Sequence, residues 1–141
     1  MRFARLREED GLIRSSFKFI AIIVVVFVVA LDAFSLFAAK QTLHGNVNDA
    51  ALKAENEYVA SNQNKAQSEA AARAILTENG ARMLKNGFSI NGHVGEDLTF
   101  SVTGTRHADT YIAHYMTGFP LIGDSITKWL DPVATGDTVR R

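Results

Sequence analysis

The stretch FIAIIVVVFVVALDAFSLFAA, residues 19–39, decides how this chain is organised. It is apolar without interruption from Phe19 to Leu31, carries one charge at Asp32, and is largely apolar again up to Ala39. As an α-helix it extends about 30 Å, the thickness of the hydrocarbon core of a bilayer. Because the run is apolar on every helical face, a buried helix of a soluble protein is a poor interpretation. We therefore predict a transmembrane helix over residues 19–39, in contact with the lipid bilayer.

The basic residues around this segment predict its orientation. Five basic residues precede the segment, whereas Lys40 is the only basic residue after it until Lys53. The five are Arg2, Arg5, Arg7, Arg14 and Lys18. Basic residues flanking a membrane helix favour the cytoplasmic side, and acidic residues count little. We therefore expect residues 1–18 to form a charged cytoplasmic leader and residues 40–141 to be extracytoplasmic. The protein is then a single-pass protein of the cell membrane.

A cleaved signal peptide is the competing interpretation of the same segment. Ala33-Phe34-Ser35 places small residues at the −3 and −1 positions for cleavage after Ser35, which would release a soluble, secreted protein. Apolar residues continue to Ala39, however, and the leader is long for a signal peptide. These two features favour a retained anchor.

Asp32 is the one charge inside the predicted span. Together with Ser35, Ala39 and Thr42 it follows an i, i+3, i+7 spacing, which places small and polar residues along one helical face. Membrane helices use such stripes to pack against one another, and an intramembrane carboxylate usually has a function. We predict that Asp32, Ser35 and Ala39 pack against a partner within the membrane, in a homo- or hetero-oligomer. The alternative is that Asp32 simply lies close to the outer interface.

Residues 40–80 have a helical pattern. An amphipathic helix follows the anchor, weakened at Gly45 and Asn46, with its apolar positions at Leu43, Val47, Ala51, Ala54 and Tyr58. Polar residues at 61–64 predict a turn. A second, Ala-rich helix is predicted from Gln67 to Asn79, with Gly80 as its C-cap.

Residues 81–131 are predicted to form a small β-rich region. A short strand at 88–90 lies between the turn dipeptides Asn86-Gly87 and Asn91-Gly92, and strict alternation at 98–103 predicts a half-buried strand. We also predict a short helix within 109–118, a last strand at 125–130 and a flexible tail at 132–141. The order of helices followed by a small antiparallel sheet predicts an α+β fold.

No pattern of catalytic residues is present. The chain has no cysteine and no net charge, and its basic residues form no patch interleaved with aromatics, so we predict no thiolate site and no nucleic-acid partner. His107 and His114 are spaced unlike zinc ligands. We predict a protein without catalytic, metal or cofactor sites, that is, not an enzyme. An aromatic group could pack in the core or line a ligand groove; it consists of Tyr111, Tyr115, Phe119 and Trp129.

The layout resembles the TadE/TadG-like family of Flp-type (type IVb) pilus-assembly proteins, within the wider pilin and pseudopilin group. The similarity lies in the charged run Arg7-Glu8-Glu9-Asp10-Gly11, in Phe17, in the Asn/Asp-Ala-Ala helix at 43–52 and in the later strand at 98–105. It implies leader processing at Gly11 and Phe17. Ser16 stands where the family has Glu, and Arg14 lies in a normally apolar stretch, so an uncut leader is the alternative.

Anchor, layout and resemblance together predict a non-enzymatic component of a bacterial pilus-assembly or secretion apparatus. Its partners are then the bilayer and other membrane or pilus subunits. The alternative function is an anchored or secreted extracytoplasmic domain that binds a small ligand or an envelope polymer, with the aromatic group at 111–129 as its site.

Overall fold

The computed structural model describes residues 2–92, 97–118 and 123–140, and side chains from Ser16 onward. The fold is α+β: a long helix carries a second helix and a three-stranded antiparallel sheet at its C-terminal end. The elements are α1 (Arg2–Ala60), α2 (Lys65–Glu78), β1 (Arg82–Asn91), β2 (Leu98–Thr105), α3 (Ala113–Met116), α4 (Gly123–Leu130) and β3 (Val133–Arg140).

Helix α1 has two halves with opposite surroundings. From Ser16 to Leu31 every side chain except the partly buried Val28 is exposed, although nearly all are apolar from Phe19 onward. By length and composition this is the one helix among the described residues able to cross a membrane. The C-terminal half of α1 is the central helix of the folded region, and its predicted apolar stripe is buried in the core. Burial is partial at Tyr58 and complete at Leu43, Val47, Ala51 and Ala54.

Gly45 and Asn46 do not break the helix, because α1 continues through both residues to Ala60. Helix α1 is therefore a single element of 59 residues, about 88 Å long.

Helix α2 packs on this central helix much as its Ala-rich sequence predicts. The Asn64 side chain caps its first turn by accepting from the N–H groups of Ala66 and Gln67, at 3.1 and 3.3 Å. The buried hydroxyl of Ser68 donates to the carbonyl oxygen of Ala54 on α1, at 2.6 Å. That short bond requires close approach of the two backbones, which small residues permit.

The sheet, in the order β1-β2-β3, covers the same part of α1, with Phe100 and Val102 of β2 fully buried. The predicted strand at 98–103 is confirmed and continues to Thr105. The turn predicted at Asn86-Gly87 is wrong, because both residues lie inside β1, where the register with β2 shifts. Asn86 has a φ of 86°, so the left-handed residue forms a bulge rather than a reversal.

Two predictions for the C-terminal residues are also wrong. The predicted strand at 125–130 is helix α4, because a short apolar run does not by itself distinguish helix from strand. The predicted flexible tail at 132–141 contains β3, which pairs with all of β2. The sequence of β3 is polar because β3 is an edge strand of the sheet. The strand packs on α1 where Gly136 lies against the backbone of Val47 and Asn48.

Candidate functional site

The connection between β2 and β3, residues 106–132, is the most unusual feature of the fold. The two strands are antiparallel neighbours, and Thr105 pairs with Val133, so a tight hairpin would suffice to join them. Instead the connection includes α3 and α4 and reaches along α1 toward its apolar half. At its far end it contacts Asp32 and Ser35.

The centre of this contact is the carboxylate of Asp32, a residue that is only 7% exposed. Its Oδ1 accepts a hydrogen bond of 2.6 Å from the backbone N–H of Tyr111. Its Oδ2 accepts from the N–H groups of Ile112 and Ala113, at 2.8 and 2.9 Å. One side chain of the long helix thus binds three consecutive backbone groups. We call this arrangement the Asp32 clasp.

The clasp provides hydrogen-bond acceptors for backbone N–H groups at the start of the short helix α3. The N–H groups at the start of a helix have no partner within it and must find other acceptors. Asp32 accepts from two of them, those of Ile112 and Ala113, and also from the N–H of Tyr111 just before the helix. The hydroxyl of Thr110 accepts from the N–H of His114 at 3.1 Å. The negative carboxylate also lies at the favourable end of these backbone dipoles. The hydroxyl of Ser35 adds a bond to the carbonyl oxygen of Asp109.

At its other end the connection is bonded to the folded region, because Arg106 Nη1 donates to the carbonyl oxygen of Asn79 at 2.9 Å, and its two ends are bonded to each other. Ala108, which is buried, donates its N–H to the carbonyl oxygen of the equally buried Leu130, at 2.8 Å. Beside it, His107 Nδ1 lies 2.8 Å from Asp131 Oδ1. The segment 109–116 is therefore held between the sheet end and Asp32.

These contacts show where the predicted packing residues lie. Asp32 and Ser35 bind the chain's own connection, and Ala39 is 8% exposed, so the stripe is covered from within the same chain. Packing of the stripe against another subunit stays a prediction. Gly11 lies within α1, and Phe17 is an exposed residue of the same helix.

The three described members of the predicted aromatic group lie outside the core. Tyr111, Tyr115 and Trp129 are 68%, 79% and 72% exposed, and Phe119 lies outside the described residues. The rings stand on the surface of the connection. Trp129 shares a groove with Leu36, Phe37 and Lys40 of α1, just beyond the clasp.

The clasp has the chemistry of a structural joint. Its contacts join one carboxylate to three backbone amides, and both carboxylate oxygens accept hydrogen bonds. No group of three or more potential metal ligands occurs among the residues that the structure describes. His114 presents its backbone N–H to Thr110, and the ring lies against that of Tyr115.

Sequence patterns single out Asp32 and Ser35 but not their partners. The donors are backbone N–H groups about eighty positions away, and no side-chain pattern identifies such groups. The polar pair Asp109-Thr110 before a short helix was the available signal, since such residues often precede helices.

No protein-family model, curated protein or solved structure matches the chain significantly.

Proposed function

We propose that this protein is a non-enzymatic, membrane-anchored structural component of a bacterial pilus-assembly or secretion apparatus. Its N-terminus is cytoplasmic, the apolar half of α1 crosses the cell membrane, and the α+β region stands outside. The protein acts through packing of its anchor helix and through rigid presentation of this region.

The observation that carries the proposal is the continuity of α1. A tethered domain needs only a flexible linker after its membrane helix, whereas here the helix runs unbroken from the exposed apolar half into the core. Any movement of the anchor is therefore transmitted to the sheet and to α2. This arrangement suits a subunit that holds a defined position among others, as the resemblance to pilus-assembly proteins also suggests.

Photo-crosslinking in the cells that make the protein tests this role. A photoreactive phenylalanine analogue replaces Phe27 or Phe34, which are 62% and 69% exposed on α1. We expect discrete adducts with membrane or pilus subunits, or with a second copy, identified by mass spectrometry. The same analogue at Thr77 on α2 is the control for contacts of the folded region. Adducts with lipid alone at both anchor positions would contradict a structural role within an assembly.

A groove lined by the basic residues Arg82, Arg106 and Lys128 favours a second candidate function, the binding of an anionic envelope polymer. The groove has a volume of about 950 Å³ and lies between the end of the sheet and α4. Its charged and titratable lining residues are Arg82, Arg106, His107, Asp124, Lys128 and Asp131. Co-sedimentation of the full chain with purified cell-wall polymer tests it. Arg82→Gln should reduce binding at least several-fold, and an unchanged affinity would exclude the groove.

A further inference from the structure

We infer that the β2–β3 connection is a membrane-interface shoulder: its exposed aromatic residues lie in the lipid headgroup layer, and Asp32 marks the outer end of the hydrocarbon core. The core then ends seven residues before Ala39, where the sequence predicts the end of the span. The remaining run Phe19–Leu31 is about 20 Å long, so the bilayer thins locally and Lys18 extends its charge to the cytoplasmic interface. This inference rests on the proposed membrane anchor and adds to it a second membrane contact. The residues of the shoulder are Tyr111, Ile112, Tyr115, Lys128 and Trp129.

The position of the clasp fixes the depth of the shoulder. Because Tyr111 and Ile112 are bonded to Asp32, they are held at the point where the bare apolar half of α1 ends. Up to Leu31 the helix offers only apolar side chains from Phe19 onward, and from Asp32 onward it is partly covered by the chain itself. Lipid tails therefore contact α1 before Asp32, and the chain's own connection contacts it from Asp32 onward.

The exposed side chains of the shoulder have the composition of a membrane interface. Tyr and Trp are enriched at the level of the headgroups, where one end of each ring is apolar and the other is wet. Trp129 lies beside Phe37 of α1 and close to two basic residues, Lys40 and Lys128. Lysines at this level place their stems along apolar surface and their charges among the headgroups.

The backbone of the shoulder is suited to the same position. Polar backbone groups near hydrocarbon must be satisfied within the protein, because water is scarce there. The N–H groups of residues 111–113 bind Asp32, and that of His114 binds Thr110. The clasp thus allows an irregular segment to approach the hydrocarbon with the N–H groups of residues 111–114 all paired.

A membrane fits this surface better than a protein partner does. The shoulder is continuous with the apolar half of α1, so a bilayer surrounding that half necessarily reaches the level of Asp32. From Asp32 to Phe37 the helix rises about 7.5 Å, which is comparable to the roughly 5–8 Å of headgroup layer on one side of a bilayer. Tyr111, Phe37 and Trp129 are exposed within this interval.

Trp129 is the only tryptophan of the chain, so its fluorescence reports on the shoulder directly. The full chain is reconstituted into vesicles of phospholipids brominated near either the carbonyl end or the methyl end of the acyl chain. We expect strong quenching by the first lipid and weak quenching by the second. No quenching by either lipid, or equal quenching by both, would overturn the inference. Protection from aqueous iodide without quenching by lipid would instead indicate a protein on this surface.

A second variant separates this inference from the proposed anchor. In the chain with Trp129→Phe and Phe27→Trp, the only tryptophan reports on the apolar half of α1. Quenching of this tryptophan by the deep bromine, without quenching of Trp129 in the native chain, would refute the shoulder and leave the anchor intact. No quenching at position 27 would refute the anchor itself.

Discussion

The carboxylate of Asp32 accepts a hydrogen bond of 2.8 Å from the backbone N–H of Ile112, eighty residues later in the chain. This bond, with those to Tyr111 and Ala113, joins the long helix to the far end of the β2–β3 connection. A charge that would be costly in an apolar helix is thus stabilised by backbone amides of the same chain. The first role of Asp32 is therefore to link α1 to the β2–β3 connection of the same chain.

Asp32→Ala is expected to release the connection from α1. Three N–H groups lose their acceptor, and the free energy of unfolding should fall by about 2–4 kcal/mol, because buried hydrogen bonds to a charged group are lost. Hydrogen exchange at residues 111–113, measured on the full chain in lipid nanodiscs, should become much faster. Ser35→Ala removes one neutral bond and should have a clearly smaller effect.

Asp32→Asn is the matched control for charge. The amide retains one acceptor oxygen, so its effect should lie between those of the native residue and alanine. Unchanged exchange at 111–113 in Asp32→Ala would show that the clasp does not hold the connection.

Gly136→Ala tests the packing of β3 on α1. A methyl group at Gly136 would lie 2.5 Å from the backbone nitrogen of Asn48 and 2.5 Å from the carbonyl carbon of Val47. Neither backbone atom can move freely, so we expect destabilisation of about 1–3 kcal/mol. Thermal unfolding followed by circular dichroism measures the change.

Gly45→Ala is the control for the same helix. Apart from the neighbouring backbone of α1 itself, no atom lies within 4 Å of the added methyl group, and alanine favours a continuous helix by up to about 1 kcal/mol. We therefore expect a higher melting temperature. If Gly45→Ala lowered it, α1 would not be continuous at this point.

The mature protein is expected to keep Asp32 and Ser35. Cleavage after Ser35 would separate the carboxylate of the clasp from the rest of the chain and cut α1 in the middle of a helical segment. Mass spectrometry of the purified protein should therefore find an N-terminus at Met1 or at Leu12. A mature protein beginning at Leu36 would contradict both the anchor and the clasp.

The sequence predicts the parts of the fold that depend on regular spacing. The apolar run before Asp32, the buried stripe from Leu43 to Ala54 and the alternating strand at β2 are all such patterns, and each is present. Helix α4 is mistaken for a strand because a short apolar run is compatible with either structure, and β3 is mistaken for a tail because its sequence is polar. In such segments, tertiary contacts decide the structure more than local preference does.

The candidate site was only half predictable for a different reason. Asp32 stands out because it is a charge in an apolar run, so the sequence identifies it as a residue that needs a partner. Its partners are backbone groups brought close by the path of the connection. That path depends on the pairing of β3 with β2, which the polar sequence of β3 does not reveal.

The most direct test of the membrane anchor is a cysteine-accessibility profile along α1. The chain has no native cysteine, so single substitutions at Arg7, Phe27, Lys40 and Thr77 can each be labelled separately. A membrane-impermeant maleimide is added to intact cells or spheroplasts. We expect labelling at positions 40 and 77, at position 7 only after the membrane is opened, and at position 27 only in detergent. Equally rapid labelling of positions 27 and 77 in intact membranes would contradict a membrane-spanning position of the apolar half of α1.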